Sequence, residues 1–139
     1  MLKRVLITGR NGYIATSLLT YLLGFPEEYA VETISLRGEA WKYIDFSRFD
    51  TVVHCAGLAH IKETAQNAHL YYEINRDLTI AVAKKAEVEG VGQFIFLSSL
   101  SVYGIDEGVI TPETEPRPRN ASTPARPSNR MPSTRRPRC

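Results

Sequence analysis

Two glycines three residues apart, Gly9 and Gly12, end the apolar run Val5-Leu6-Ile7-Thr8 and open a stretch whose apolar residues recur with helical spacing. Glycine at the first position lets the chain turn sharply through φ values that a β-carbon forbids. At the second it lets the backbone come close to a bound pyrophosphate. A helix that starts there presents unpaired N–H groups and the positive end of its dipole, which is the chemistry that holds a diphosphate. Ala15 takes the third small position, where the helix packs on the strand. Small residues at a strand-helix turn also serve plain packing. The Gly-x-x-Gly-x-x-Ala spacing gains its weight from following a strand and opening a chain that goes on alternating strand and helix.

The other reactive side chains carry less. His54 and Cys55 are adjacent on a strand, point to opposite faces and so form no nucleophile-base pair; both read as packing. The three histidines lack paired metal-ligand spacing, so no metal site is expected. Ser99 follows an apolar strand, where its hydroxyl either does chemistry or bonds its own backbone. His60 stands where it would reach a substrate, and Asn75 reads as a residue tying a helix to a neighbouring loop.

The elements that position these residues follow from periodicity. Leu2 to Thr8 reads as a strand, and about Gly12 to Leu23 as a helix with Ile14, Leu18, Leu19, Leu22 and Leu23 on one face. Gly24-Phe25-Pro26 stops that helix. Tyr29 to Leu36 is a second strand ended by the turn Arg37-Gly38, with room for a brief strand around Lys42 to Asp45. Thr51 to Ala56 is a buried strand, and Thr64 to Glu89 a long helix carrying Leu70, Ile74, Leu78, Ala81, Val82 and Lys85, closed by Gly90. Gln93 to Ser98 is the last clear strand. Strands alternating with helices imply right-handed crossovers and a parallel sheet whose ligands bind past the C-terminal strand ends. That rule gathers Gly9 to Gly12, Arg37, Ala56 to His60 and Ser99 along one rim.

The 139 residues suffice for one domain, and their charge is unevenly spread. Residues 1–115 hold ten Lys and Arg against fifteen Asp and Glu, a net −5, whereas residues 116–139 hold seven Arg and no acid, a net +7. After Ile110 there is no Val, Ile, Leu, Phe, Tyr or Trp. Cys55 and Cys139 make no disulfide framework, so a reducing, cytoplasmic setting is expected. Met1-Leu2-Lys3-Arg4 runs directly into a strand, leaving no signal-peptide core, and no apolar run reaches membrane-spanning length.

Thr8-Gly9-x-x-Gly12-Tyr13-Ile14-Ala15, Asp45, His54-Cys55-Ala56-Gly57, Asn75 and Ser98-Ser99-Leu100-Ser101-Val102-Tyr103-Gly104, in that order and spacing, resemble the NAD-dependent epimerase/dehydratase family of the extended short-chain dehydrogenase/reductase superfamily. The resemblance covers roughly residues 1–116 and implies a Rossmann-like, doubly wound parallel α/β sheet, here truncated, with NAD or NADP as cofactor and a nucleotide sugar as substrate. It implies that Gly9, Asn11, Gly12, Tyr13 and Ile14 hold the pyrophosphate, that Asp45 meets the adenine edge and that Ala56 and Gly57 line the adenosine and ribose side. Ser99, four residues before Tyr103, falls where the family has its catalytic hydroxyl. A homodimer is what the resemblance implies for an intact member. In such enzymes the nicotinamide takes a hydride from a sugar carbon while a tyrosinate, its pKa lowered by a lysine four residues on, removes the hydroxyl proton.

This sequence departs from that pattern twice. Four residues after its seven tyrosines stand Ser17, Phe25, Thr33, Ser47, Asn75, Arg76 and Glu107, so no Tyr-x-x-x-Lys pair exists. The second strand ends Ile34-Ser35-Leu36-Arg37, without the acid that usually binds the ribose of NAD; Arg37 either meets a 2′-phosphate or is a solvated turn residue. Asp45 likewise either meets adenine or caps a local turn. The resulting expectation is a partial NAD(P)-binding Rossmann domain over residues 1–115 with its acid/base pair missing, or alternatively a non-catalytic dinucleotide-binding or redox-sensing module.

Residues 116–139 are Arg-, Pro-, Ser- and Thr-rich and bury no core, so disorder is expected. A basic arm of this kind attracts nucleic acid, but it has no aromatic residue to stack on bases. The family's Tyr-x-x-x-Lys helix would follow Asn120-Ala121, where the composition turns to that of a GC-rich gene read out of frame. Sequencing the coding DNA from codon 110 onward in three frames is expected to find Tyr-x-x-x-Lys encoded shortly after Ala121 in a shifted frame. If no frame encodes it, the Arg/Pro tail is genuine and the binding-module alternative takes precedence.

Overall fold

The computed structural model describes residues 1–58, 64–103 and 108–116. The chain divides into two compact units, residues 1–97 and 98–139. In the first unit, β1 (Lys3–Thr8), β2 (Tyr29–Ile34), β3 (Thr51–His54) and β4 (Gln93–Phe96) form one parallel sheet in the order β2-β1-β3-β4. This is the parallel α/β architecture expected from the alternation of elements. Val5, Leu6, Ile7, Val52 and Val53 are buried because β1 and β3 are covered on both faces. The chain leaves β1 toward β2 on one side and later returns to β3 on the other, so the sheet's order reverses between the C-terminal ends of β1 and β3.

One face of the sheet is covered by α1 (Tyr13–Leu22), whose Ala15, Leu18, Leu19 and Leu22 pack on Val5, Ile7 and Val53. Those four positions follow the i, i+3, i+4, i+7 spacing. Ile14 and Leu23, expected on that face, are instead 54% and 60% exposed, because each is one residue out of phase with the stripe that begins at Ala15. Thr79–Val88 forms α3 on the opposite face, where Val82 and Ala86 meet Leu6, Val52, Trp41, Phe46 and Phe49. Burial of each of these three aromatic side chains contributes about 2–3 kcal/mol.

The segment joining β2 to β3 differs from the brief strand expected around Lys42 to Asp45. Ala40–Tyr43 is a 3₁₀ turn, with Trp41 buried and Tyr43 87% exposed, a pairing that the alternation of a strand does not permit. The segment is fastened to α3 through polar groups. The Phe46 N–H donates to Glu89 Oε2 at 2.5 Å, the other Glu89 oxygen pairs with Lys85, and Lys85 Nζ donates to the Lys42 carbonyl at 3.0 Å and lies 5.0 Å from the centre of the Phe46 ring.

The long helix expected over Thr64 to Glu89 is also divided. It consists of α2 (Ala68–Tyr71), a π-helical stretch over Tyr72–Leu78, and α3. A π turn takes an extra residue and shifts the phase of the helix. Leu70 and Ala81 are exposed, while Leu78, Val82 and Ala86 pack into the core and Lys85 lies over the Phe46 ring. Gly90, with φ of +75°, closes α3 as expected. β4 lies at the sheet's edge among the described residues, and Ile95, Phe96 and Leu97 stay partly exposed there, an apolar edge of the kind that invites pairing or aggregation. Among the described residues no helix is long and apolar enough to cross a membrane. In the second unit, Leu100–Tyr103 is a 3₁₀ turn, and Thr111 and Thr114 close another turn through bonds of 2.9 and 3.0 Å. His60 and the tail from residue 117 lie outside the described residues.

A polar tether runs through the first unit. His54 Nδ1 lies 2.9 Å from Thr8 Oγ1 and Nε2 lies 3.0 Å from Thr79 Oγ1, joining β1, β3 and α3, while Phe94 and Phe96 flank the ring with centroids 6.0 Å away. A neutral imidazole donates through one nitrogen and accepts through the other, so both bonds are satisfied without charge. Burial lowers the His54 pKa from 6.5 to about 4. Between these values the unfolded chain binds the extra proton, so this contribution is complete above about pH 6.5 and is lost as the pH falls toward 4, a change on the order of 3 kcal/mol. Urea denaturation at pH 7, 5.5 and 4.5 is therefore expected to show a steeper loss of stability on acidification in the native sequence than in His54→Gln; parallel losses contradict this role.

Candidate functional site

Gly9 follows β1 directly with φ of +84°. A β-carbon there would stand 2.9 Å from the Ala56 nitrogen and 3.0 Å from both Ala56 Cα and the Cys55 carbonyl carbon, all backbone atoms that cannot swing aside. The turn after β1 thus touches the end of β3 at the point where the strand order reverses. It is also bound to the end of β2, since the Gly9 and Arg10 N–H groups both donate to the Ile34 carbonyl, at 3.0 and 3.1 Å. The Gly12 N–H donates to the Gly9 carbonyl at 2.8 Å, which tightens the turn. A β-carbon on Gly12 would lie 3.2 Å from that same carbonyl oxygen.

The first helical bond of α1 runs from the Thr16 N–H to the Gly12 carbonyl at 2.9 Å, so the Tyr13, Ile14 and Ala15 N–H groups lie ahead of the helical ladder. No side chain caps this helix and its first turn holds no acid. Tyr13 and Ile14 are largely exposed beside the turn, whereas Ala15 is fully buried against the sheet. A small residue is required there, as its spacing from the glycines suggests. The arrangement supplies first-turn N–H groups outside the helical ladder and the positive end of the helix dipole beside a glycine turn, which is what a diphosphate needs.

Ala56 and Gly57 continue β3 past this turn. Asn75, from the π-helical stretch, grips the next residue twice: its Oδ1 accepts the Leu58 N–H at 2.6 Å and its Nδ2 donates to the Leu58 carbonyl at 2.9 Å. The sequence-based reading of Asn75 as a tie between helix and loop is what the structure has. A β-carbon on Gly57 would lie 3.4 Å from the Asn75 Oδ1, ordinary contact. Cys55 packs on the α1 side and His54 bonds Thr79 on the α3 side, so the two do point to opposite faces. Burial raises the Cys55 pKa.

Arg37 lies three residues beyond β2, exposed, with its N–H donating to Ser35 Oγ at 3.2 Å, and Gly38 continues that turn with φ of +71°. Asp45 closes a local turn: one carboxylate oxygen accepts the Ser47 hydroxyl at 2.6 Å and the Ser47 N–H at 2.9 Å, and these bonds hold its pKa below the usual carboxylate value. Ser99 is in the second unit, exposed, and its carbonyl accepts the Val102 N–H at 3.2 Å.

Of the residues singled out from sequence, the structure therefore gathers Gly9, Asn11, Gly12, Tyr13, Ile14, Ala56 and Gly57 at the switch point, with Arg37 at the end of the neighbouring β2. One contact escaped the sequence reading. Thr8, named there only within the resemblance, and His54, read as packing, are hydrogen-bonded to each other directly behind the turn. The available signal was positional: Thr8 precedes Gly9 and faces His54 in the parallel register.

A sequence profile of the NAD dependent epimerase/dehydratase family matches residues 5–129. The UDP-glucose 4-epimerase GEPI48 of Cyamopsis tetragonoloba is 36% identical, over 88% of this chain and 43% of its own length. A UDP-glucose 4-epimerase from Bifidobacterium longum, solved with NAD+ and UDP, superposes with a TM-score of 0.64 at 28% identity, covering 83% of this chain and 43% of that one. A dTDP-4-dehydrorhamnose reductase from Bacillus anthracis, solved with NADP, superposes at 0.53 and 26% identity over 67% of this chain and 35% of that one. The chain spans about two fifths of the length of the curated relatives it matches. With a Rossmann-like parallel sheet, a glycine turn at its switch point and this profile match, the chain belongs to the NAD-dependent epimerase/dehydratase family.

Proposed function

We propose that this chain carries the NAD(P)-binding half of a nucleotide-sugar epimerase/dehydratase and lacks the Tyr-x-x-x-Lys pair that would complete catalysis. The observation that supports this best is the close approach of Gly9 to the Ala56 backbone ahead of an uncapped helix start. That cradle suits the cofactor, because a β-carbon at Gly9 would be driven into backbone and the first-turn N–H groups have no side-chain competitor. Gly9, Asn11, Gly12, Tyr13 and Ile14 would hold the pyrophosphate, Ala56 and Gly57 the adenosine and ribose side, and Asp45 the adenine edge. When bound, the cofactor supplies hydride acceptance at its nicotinamide.

What this chain's residues contribute is binding and orientation. Asn75 fixes the loop after β3 through both backbone groups of Leu58, and His54 fixes Thr8 behind the glycine turn. Ser99 is the hydroxyl proposed to bond the reacting sugar oxygen. Removal of the sugar's hydroxyl proton needs a base that no tyrosine followed by lysine supplies here. A nucleotide sugar as substrate, a homodimeric whole enzyme and a cytoplasmic setting belong to this reading. The second reading, a non-catalytic dinucleotide-binding module, rests on the same turn. Its redox-sensing form has little support from Cys55, whose thiol pKa is raised by burial rather than lowered as a reactive thiol's would be.

Calorimetry of the intact chain with NAD+ and NADP+ is expected to show binding that Gly12→Val weakens by at least about tenfold, since a branched side chain fills the space a pyrophosphate would take. Circular dichroism of Gly12→Val is expected to stay native. UDP-glucose is expected to give no steady turnover. Heat of binding from neither dinucleotide, or unchanged affinity in a folded Gly12→Val, contradicts the binding site; sustained epimerisation by the pure chain contradicts the incomplete catalysis.

A further inference from the structure

The two outer strands of the sheet are guarded differently. β2 carries the exposed Glu32, whose carboxylate pairs with Arg48 from the segment that leads to β3. β4 carries nothing of the kind. Residues 91–99 include no charged residue and no proline, and Gln93, Ile95, Phe96 and Leu97 are exposed. Charges and prolines are what keep a strand edge from pairing with another chain, so β2 is protected and β4 is open. The sheet also fixes which backbone groups of β4 point outward. The Gln93 N–H donates to the Asp50 carbonyl, on the β3 side, at 3.1 Å. Backbone groups of successive residues alternate across a strand, so those of Ile95 also turn toward β3 and those of Phe94 and Phe96 turn away from it. Among the described residues no strand meets them there. Phe94, beside Val52, packs on the α3 side, and Ile95, beside Val53, lies on the α1 side.

The middle of this edge, Phe94-Ile95-Phe96, reads the same in both directions. We propose that β4 pairs antiparallel with β4 of a second copy of this chain about a two-fold axis at Ile95, joining the two parallel sheets into one. In that register the outward N–H and C=O of Phe94 exchange hydrogen bonds with those of Phe96 of the other copy, and the symmetry repeats the exchange. Each aromatic ring then has an aromatic ring opposite it on the α3 side, while Ile95 meets its own counterpart in a non-hydrogen-bonded pair, where side chains approach more closely. A strand of any sequence satisfies the backbone groups. What favours a second copy is that one register matches aromatic with aromatic in both directions and opposes no charge to its like. Pairing at β4 leaves the two β2 strands, each with its Glu32–Arg48 pair, at the outer ends, so association closes at two copies.

Sedimentation velocity of the intact chain at about 100 µM, enough to populate a contact of micromolar affinity, tests the pairing. The native chain is expected to sediment as two copies. Ile95→Lys and Ile95→Glu, each of which sets like charges face to face on the axis, are expected to weaken the association at least about tenfold and to sediment as single copies. An equimolar mixture of the two variants is expected to regain the two-copy mass, which separates lost pairing from lost folding. A native chain of single-copy mass leaves the edge to a different protein and overturns the proposal, as does a mass above two copies, a charged variant that stays paired, or a mixture of folded variants that does not recombine. Cross-linking checks the register independently of the charged variants. With Cys139→Ser as background, Ile95→Cys treated with oxidised glutathione is expected to give a disulfide-linked pair, since residues opposite each other across antiparallel strands lie within disulfide reach. Val88→Cys, at the exposed end of α3, is expected to give none. No cross-link at position 95, or equal cross-linking at both positions, overturns the register.

Discussion

The fold depends on one approach of backbone to backbone. At the end of β1 the chain must turn within hydrogen-bonding reach of β2 and in contact with β3, and only a residue without a β-carbon, at φ of +84°, satisfies both. Everything on either side of Gly9 follows from that requirement. Upstream, β1 is central and buried on both faces; downstream, Gly12 ends the turn and α1 starts immediately, so the N–H groups ahead of its helical ladder follow directly on the strand end at which the sheet order reverses. A packing constraint and the proposed phosphate cradle are here the same few atoms.

Support for that turn comes from two sets of polar groups buried or half-buried in an otherwise apolar interior. Thr8, His54 and Thr79 link three elements through a neutral imidazole, and Lys85, Glu89 and the Phe46 and Lys42 backbone link α3 to the segment that crosses beneath the sheet. In each case the polar groups are satisfied, and no buried side-chain nitrogen or oxygen among the described residues lacks a partner. Such networks fix the relative position of elements more narrowly than apolar packing does, because their bonds tolerate small displacements poorly.

The continuous apolar runs of β1 and β3 made the parallel sheet legible in the sequence, since strands covered on both faces cannot show alternation. Gly9, Gly12 and Ala15 were legible for the same reason in reverse: each is small where something must come close. What sequence periodicity missed was phase. Ile14 looked like part of the α1 stripe but lies one position early, and Leu70 and Ala81, expected on the buried face of one long helix, are exposed in an element that a π-helical stretch over Tyr72–Leu78 divides. The mixed pattern around Lys42 to Asp45 left room for a brief strand, yet the chain makes a 3₁₀ turn there that buries Trp41 and exposes Tyr43. The hydrogen-bond partners of His54 were hidden because they depend on register and on a helix from another part of the chain.

The most direct test of the central claim is a titration of the ¹⁵N-labelled chain with ADP-ribose, the part of the cofactor that carries the pyrophosphate, followed by amide chemical shifts. The account predicts that the amides of Asn11, Gly12, Tyr13 and Ile14 move most and saturate together, with Ala56 and Gly57 following at the same ligand concentration. Shifts confined to other parts of the sheet, or none at millimolar ligand, on the order of 1 mM and weaker than any functional cofactor site needs, would contradict it.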